Sequence, residues 1–108
     1  PKGVVLSHGN ITSNIEAIYD IFDLRSSDCL VGILPLFHSF GFTGTMWLPL
    51  LAGISAVYHP NPIDASAVGE ITKKHRGSIL IATPTFLQTY LRKVEPEQFR
   101  TLRRVVVG

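Results

Sequence analysis

One histidine in the sequence is surrounded by residues that suit a small-molecule site. His38 lies in the apolar segment Leu34-Pro35-Leu36-Phe37-His38-Ser39-Phe40-Gly41. An imidazole titrates near neutral pH and can donate a hydrogen bond to an anion, which makes His38 a candidate catalytic residue. A lone histidine among apolar neighbours can also be a structural residue whose nitrogens bond to the backbone. The residues by themselves leave both roles open.

A second candidate lies at the start of the sequence, in Pro1-Lys2-Gly3. A glycine-rich turn offers backbone N–H groups to a phosphate, and a lysine beside it adds a mobile positive charge. The same tripeptide is often a plain surface turn. It also differs from a Walker loop, in which Gly-Lys is followed by Ser or Thr.

The other reactive residue types indicate no further site. His8, His59 and His75 lack metal-ligand spacing with one another or with Cys29, so we predict no metal site. The lone Cys29 excludes an internal disulfide, and its natural setting is a reducing cytoplasm.

Short β-rich runs alternate with stretches of helical spacing along the sequence. This pattern predicts an α/β fold, a layered parallel β-sheet with crossover helices, over residues 1–108 as one unit. Strands are expected at residues 4–7, 30–34, 54–58, 78–82 and 103–107. Ligands of such sheets collect at the carboxyl ends of the strands, which points to residues 35–41, 82–85 and Gly108.

The helices between these strands have recognisable ends. They are expected at residues 10–22, 43–52, 64–75 and 84–93, followed by a short helical turn at 96–102. The expected caps and stops are, in chain order, Asn10, Gly53, Asp64 or Ser66, Gly77 and Thr83, with Pro84 in the first turn of the last helix. Pro49 is expected to disturb the second helix locally.

Composition favours an ordered, heavily buried chain. Of the 108 residues 45% are hydrophobic and 17% charged, with a mean hydropathy of +0.26. The net charge of +2 is too small to indicate nucleic-acid binding. Residues 29–63 contain no charged side chain, but prolines and glycines interrupt them, so we expect no membrane span.

The charges are unevenly distributed along the chain. Residues 1–72 carry two basic and six acidic side chains, whereas residues 73–108 carry eight basic and two acidic ones. The basic end could meet an anionic carrier or phospholipid headgroups, giving a peripheral membrane contact. Solvated helix ends explain the same charges.

Three landmarks resemble the AMP-forming, or adenylate-forming, ligase family in their order along the chain. Residues 34–41 resemble its Pro-x-Phe-His-x-x-Gly segment, Ala82-Thr83-Pro84-Thr85-Phe86 a strand that enters a helix at Pro-Thr, and residues 102–108 the strand that leads to the adenylate. Pro1-Lys2-Gly3 is similar to the end of the family's phosphate loop. The chain is most similar to fatty-acyl ligases, and within them to the bacterial acyl-carrier-protein synthetase and 2-acylglycerophosphoethanolamine acyltransferase group, in Phe37-His38-Ser39-Phe40-Gly41, in the helix end Pro49-Leu50-Leu51-Ala52-Gly53 and in the stretch from Tyr90 to Arg103.

The resemblance implies a two-step reaction that uses ATP and Mg²⁺. A carboxylic acid, here a fatty acid, attacks the α-phosphate to give an acyl-adenylate, and a thiol of coenzyme A or acyl carrier protein then displaces AMP. It also implies that the chain is part of a larger domain and inactive alone, because the family's magnesium-binding, ribose-binding and lysine segments have no counterpart in it.

The resemblance assigns roles to particular residues. His38 would contact the substrate carboxylate and the α-phosphate, and Lys2, Gly3 and Gly108 would contact the nucleotide. Flat apolar side chains suit an alkyl or aromatic acid. The implied pocket residues are Phe40, Gly41, Phe42, Thr83 and Pro84.

Two other functions remain open on the sequence. The chain could be a non-catalytic structural or carrier-docking subdomain. An α/β-hydrolase is the other alternative, but its nucleophile elbow requires glycine two residues before the serine, and Phe37 stands there before Ser39.

Overall fold

The computed structural model describes residues 2–108, so Pro1 of the Pro-Lys-Gly tripeptide lies outside the described residues. The strands are β1 (Cys29–Gly32), β2 (Ser55–Tyr58), β3 (Ile79–Ala82) and β4 (Arg104–Val107). The helices are α1 (His8–Phe22), α2 (residues 39–52), α3 (Ala65–Lys74) and α4 (Pro84–Lys93), with a 3-10 turn at Pro96–Phe99.

The strands form one parallel sheet in the order β2-β1-β3-β4. Leu30 of β1 lies opposite Ala56 on one side and Ile79 on the other. Strands β1 and β3 are buried along their whole length, which explains their unbroken apolar sequences. The predicted parallel α/β architecture is therefore confirmed.

The predicted strand at residues 4–7 is wrong. Val4 and Val5 are 75% and 99% exposed, and none of the strands described in residues 2–108 pairs with them. A β-rich run forms a strand only where a neighbour takes its backbone hydrogen bonds. Residues 2–7 lead into α1 without regular structure.

The start of α1 differs from the prediction by three residues. Ser7, not Asn10, caps the helix, and its hydroxyl accepts the Asn10 N–H at 3.1 Å. The Asn10 side chain in turn accepts the Ser7 N–H at 3.0 Å. The two residues form a reciprocal capping box in which Asn10 occupies the third helical position.

The ends of α3 and α4 follow the sequence more closely. Asp64, not Ser66, caps α3, and Thr83 caps α4 as predicted. Helix α3 ends at Lys74, before Gly77, and Arg76 takes the left-handed conformation. Gly77 has a different role: a Cβ there would lie 2.4 Å from a Val31 methyl.

Helix α2 changes its winding along its length. It is α-helical over Ser39–Gly41, π-helical over Phe42–Trp47 and α-helical again over Leu48–Ala52. Pro49 has no N–H to donate to the Thr45 carbonyl, four residues earlier. The Leu48 N–H donates to the Thr43 carbonyl, five residues back. Gly53, in the left-handed conformation, ends the helix as predicted.

The helices cover both faces of the sheet. The chain steps from β1 outward to β2, then back past β1 to β3 and β4. Because parallel crossovers are right-handed, this reversal places α2 on one face and α3 and α4 on the other. Helix α1 packs on α2, and α3 packs on α4 and the 3-10 turn. The core consists of β1, β3 and the inner sides of these helices.

Candidate functional site

The carboxyl edge of the sheet gathers the stretches that the sequence singled out. The strand order reverses between β1 and β3, and parallel sheets bind ligands beside such a reversal. The loop after β1 leads to His38, β3 leads to Thr83, and β4 leads to Gly108. All three residues therefore lie at one edge.

His38 caps α2 and keeps one nitrogen for a ligand. Its Nδ1 accepts the Phe40 N–H at 3.3 Å, and its carbonyl accepts the Phe42 N–H at 2.8 Å. A neutral imidazole that accepts at Nδ1 carries its proton on Nε2. The residue is exposed, so Nε2–H can donate to a carboxylate or phosphate oxygen.

Phe40 reaches from α2 to the end of β4. A Cβ on Gly108 would lie 3.1 Å from two carbons of the half-buried Phe40 ring. The Gly108 N–H donates to the Ala82 carbonyl at 3.3 Å, next to Thr83. The ends of β3 and β4 and the start of α2 thus meet at Phe40, and glycine at position 108 leaves space beside the ring.

Gly41 is required by the packing of α2 on the preceding loop. A Cβ on Gly41 would lie 2.0 Å from the Pro35 carbonyl oxygen. The close backbone approach that glycine permits is therefore made to Pro35. It seats the first turn of α2 against the loop after β1.

Phe42 points away from Phe40. Its ring packs edge-on against Trp47, with ring centres 6.1 Å apart. It also lines a gap of about 70 Å³ between α1 and α2, together with Leu6 and Ile11. Of the two phenylalanines that flank Gly41, the structure brings Phe40 alone beside Gly108.

The remaining candidates occupy less enclosed positions. Thr83 is half-buried and accepts the Phe86 N–H at 3.4 Å, and Pro84 is exposed in the first turn of α4. Lys2 and Gly3 are exposed, and a Cβ on Gly3 would have no neighbouring atom within 4 Å. Among residues 2–108, no hydrogen bond joins Lys2 or Gly3 to His38 or Gly108.

Sequence reasoning missed two residues that hold α2 in place. The buried Thr45 hydroxyl donates to the Gly41 carbonyl, and the Tyr58 hydroxyl donates to the Thr45 carbonyl. Pro49 was the available signal, since a proline inside a helix leaves the carbonyl four residues earlier without its usual donor.

A polar network at the opposite edge was also missed. Asp28, Ser78 and Arg103 each immediately precede a strand, so the parallel register brings them together. The buried Asp28 carboxylate accepts the Ser78 hydroxyl at 2.7 Å and pairs with Arg103. Burial alone would raise the pKa of Asp28, but these bonds and the Arg25 N–H outweigh it and hold the pKa below its ordinary value.

Two larger cavities flank the sheet, and no residue with an assigned site role lines either of them, although the apolar one adjoins the predicted ligand loop at residues 35–37. An apolar one of about 540 Å³ lies beyond β1 and β2, lined by residues that include Pro35, Phe37, Tyr58 and His59. A polar one of about 750 Å³ lies at the amino edge, around Asp28.

Within residues 2–108, no group of three or more His, Cys, Asp or Glu side chains is arranged to hold a metal ion. None of the helices described there is long and apolar enough to cross a membrane.

Comparison with known proteins identifies the family. The profile described as "AMP-binding enzyme" matches residues 1–108. The chain is 29% identical over 103 residues to the long-chain-fatty-acid–CoA ligase of Bacillus subtilis, covering 92% of the chain and 18% of that protein. It is 28% identical over 110 residues to the indoleacetate–CoA ligase of Aromatoleum aromaticum, covering all of the chain and 21% of that protein.

Solved structures agree with this match. The O-succinylbenzoate coenzyme A synthetase of Bacillus subtilis in complex with AMP superposes with a TM-score of 0.89 at 24% identity, over all of this chain and 27% of that one. ATP-bound MatB from Rhodopseudomonas palustris gives a TM-score of 0.85 at 27% identity, over 99% and 21% respectively.

The chain spans between 15% and 21% of the length of the first curated relatives it matches. The family match nevertheless covers every residue of the sequence. The landmarks at residues 34–41, 82–86 and 102–108, which meet at one edge of the sheet, are those that resemble the family. The chain therefore belongs to the AMP-binding enzyme family of adenylate-forming ligases.

Proposed function

We propose that the protein carrying this chain is an AMP-forming acid–thiol ligase. The observation that carries the proposal is the meeting of His38, Phe40 and Gly108 at the carboxyl edge of the sheet. A donor, an apolar ring and an open backbone position there suit an acid held beside a nucleotide.

The proposed reaction has two balanced steps. A carboxylate oxygen attacks the α-phosphorus of ATP, and the bond between the α-phosphorus and the leaving pyrophosphate breaks. Acyl-adenylate and pyrophosphate are the products. A thiolate then attacks the acyl carbon, and AMP leaves. Both steps depend on holding the reactants in line and on neutralising negative charge.

His38 is the proposed catalytic residue of the first step. Its Nε2–H donates to an oxygen of the acid carboxylate or of the α-phosphate. Negative charge accumulates at these oxygens as the two groups approach each other. Gly108 leaves room for the nucleotide, and Lys2 with Gly3 contributes positive charge and N–H groups to the phosphates. Mg²⁺ supplies charge neutralisation on the phosphates, and no residue of this chain is assigned to it.

A fatty acid is the proposed substrate. Phe40 offers an apolar wall, with Thr83 and Pro84 at the adjoining end of β3. One relative is a long-chain-fatty-acid ligase and another an indoleacetate ligase, so an aromatic acid is the alternative within the same chemistry. Coenzyme A is the proposed acceptor, with acyl carrier protein as the alternative thiol.

The cytoplasm is the proposed location, in line with the single reduced cysteine, Cys29. The basic residues after position 72 support a peripheral contact with anionic headgroups.

The test is an adenylation assay on the full-length protein. ATP, Mg²⁺ and a panel of short, medium and long fatty acids and aromatic acids are supplied one at a time, and pyrophosphate release and acyl-adenylate are measured. We expect acid-dependent release, followed by AMP release when coenzyme A or a carrier protein is added. No acid-dependent pyrophosphate with any member of the panel would contradict the proposal.

A further inference from the structure

Tyr58, at the end of the edge strand β2, is bonded to helix α2. Its hydroxyl donates to the Thr45 carbonyl at 2.6 Å. Its ring crosses over Gly32, its register partner in β1, so closely that a Cβ on Gly32 would lie 2.5 Å from the ring. Glycine at position 32 therefore makes room for this tyrosine.

Pro49 removes the usual α-helical donor of the Thr45 carbonyl, to which the Tyr58 hydroxyl is bonded. In an α-helix, residue 49 would donate its N–H to residue 45, and proline has none. The helix widens to a π-helix over Phe42–Trp47, and a hydroxyl from a neighbouring strand takes the place of the missing N–H. A buried carbonyl without any partner would be costly, so the contact stabilises this winding.

A second hydrogen bond continues from Thr45 to the candidate site. The Thr45 side chain is fully buried, and its hydroxyl donates to the Gly41 carbonyl at 2.6 Å. Gly41 is seated on the Pro35 carbonyl and lies next to Phe40, whose ring contacts Gly108. Tyr58, Thr45 and Gly41 thus form a continuous relay, which we call the Tyr58 relay, from the sheet edge to the first turn of α2.

We propose that Tyr58 is a positioning residue for the acid site: through the Tyr58 relay it fixes the first turn of α2, and with it Phe40 and His38. This inference rests on the proposed ligase function. In this proposal Tyr58 acts through Thr45 and Gly41 and makes no contact of its own with the acid or the nucleotide. Loss of its hydroxyl would therefore leave every contacting group in place and loosen the turn that aims them.

The consequence is a selective change in kinetics. The acid lies against Phe40, on the turn that the relay holds, whereas the nucleotide is also held from β4 and the phosphate loop. A looser turn should therefore weaken binding of the acid more than that of ATP. It should also flatten the preference among acids of different size, because the Phe40 wall no longer has one position.

The experiment compares Tyr58→Phe with wild type in the full-length protein. We expect KM for the acid to rise roughly two- to tenfold, the equivalent of one hydrogen bond, with KM for ATP unchanged within about twofold. The rank of kcat/KM across short, medium and long acids should flatten. Thr45→Val breaks the next bond of the relay and should give the same changes.

The matched control is Tyr90→Phe. Tyr90 also donates its hydroxyl to a backbone carbonyl, that of Pro62, but from α4 on the other face of the sheet. This variant should lower Tm and leave the acid preference unchanged. If Tyr58→Phe and Thr45→Val behave like Tyr90→Phe, both residues are merely structural and the inference fails.

A second variant tests whether Pro49 is the reason that the Thr45 carbonyl depends on Tyr58. Pro49→Ala restores the N–H that can donate to the Thr45 carbonyl, so Tyr58→Phe should have a smaller effect on the acid KM in that background. An equal effect in both backgrounds would overturn the relay. A wild-type protein without acid-dependent pyrophosphate release would overturn the proposed function, and the inference with it. An active wild type with an unaltered Tyr58→Phe variant would overturn the inference alone.

Discussion

At the scale of a single residue, His38 caps α2 and is also the proposed catalytic residue. Its Nδ1 accepts a helix N–H, which is how Asn or Asp side chains commonly cap helices, and this bond assigns the proton to Nε2. A capping role and a ligand-binding role therefore do not compete for the same nitrogen. Substitution of His38 affects both, and a suitable variant can separate them.

His38→Ala in the full-length protein should slow adenylation about a hundredfold, the equivalent of about 3 kcal/mol for one lost donor to developing charge. Transfer from preformed acyl-adenylate to the thiol should change much less. The measurement is single-turnover kinetics of each half-reaction. His38→Asn is the control, because asparagine retains a capping acceptor: if it restores both rate and Tm, the loss came from the cap and His38 is a structural residue.

Phe40→Ala and Phe42→Ala should change different properties of the protein, the acid preference in the first and the stability in the second. Phe40→Ala removes the ring beside Gly108 and should shift the chain-length profile of kcat/KM toward larger acids. Phe42→Ala removes the ring packed on Trp47 and should cost about 1–3 kcal/mol of stability, less than a fully buried phenylalanine. Each variant serves as the other's control in the same two measurements, acid profile and Tm. A shifted profile in Phe42→Ala at unchanged Tm would show that the pocket lies on the α1 side.

At the scale of the elements, contacts hold the strands of the sheet together at both of their ends, the carboxyl edge and the amino edge. The carboxyl edge is closed by Phe40 and the Ala82–Gly108 hydrogen bond, and the amino edge by Asp28, which joins the starts of β1, β3 and β4 through Ser78 and Arg103. The amino edge contains no predicted site residue. Its contribution is to the register of the strands, and through that to the position of Gly108.

Asp28→Asn should lower stability by about 3 kcal/mol, since Arg103 loses its partner while largely buried. Its pH dependence has a definite sign. The pKa of Asp28 in the folded state lies below its ordinary 3.8, so its stabilisation is present above that pH and is lost as the pH falls through the lowered pKa. Thermal unfolding measured between about pH 7 and pH 3 should show a shallower acid decline in Asp28→Asn than in wild type. If the Tm of both proteins falls equally as the pH is lowered, other carboxylates cause the loss of stability in acid.

Local sequence signals accounted for most of the elements. Apolar periodicity predicted every helix and the strands β1 to β4 within a few residues, because the spacing of apolar residues in a segment indicates which of its faces is buried. Residues 4–7 failed because strand formation depends on a partner that the run itself cannot specify. Phe40 and Phe42 point in different directions because residues two apart on a helix lie roughly 200° apart, and the prediction missed this because it began the helix at Thr43, whereas α2 begins at Ser39.

At the scale of the whole molecule, the chain corresponds to a small part of each curated relative. The curated relatives are roughly five to seven times as long, because the chain spans 15% to 21% of their length. The candidate acid wall and His38 lie within it. The resemblance assigns no residue of the sequence to the family's magnesium-binding, ribose-binding and lysine segments, on which the proposed reaction would depend.

The 108-residue chain alone should therefore release no pyrophosphate from ATP and Mg²⁺ with any fatty acid. Groups that stabilise one transition state act together, so a subset retains far less than its share of the rate. The assay compares the chain with a heat-treated sample and with the full-length protein. Turnover above the heat-treated sample would show that residues 1–108 contain a sufficient active site.

The strand order also constrains how the chain can assemble. Strand β1 is a central strand and the first of the strands described in residues 2–108, yet both of its partners come later: β2 begins at Ser55, and Ser78, which accepts the Cys29 N–H, lies 49 residues after Cys29. Within residues 2–108, β1 gains its first strand partner only when β2 has been synthesised. The β1-α2-β2 unit, closed by Tyr58, can therefore form before β3 has been synthesised.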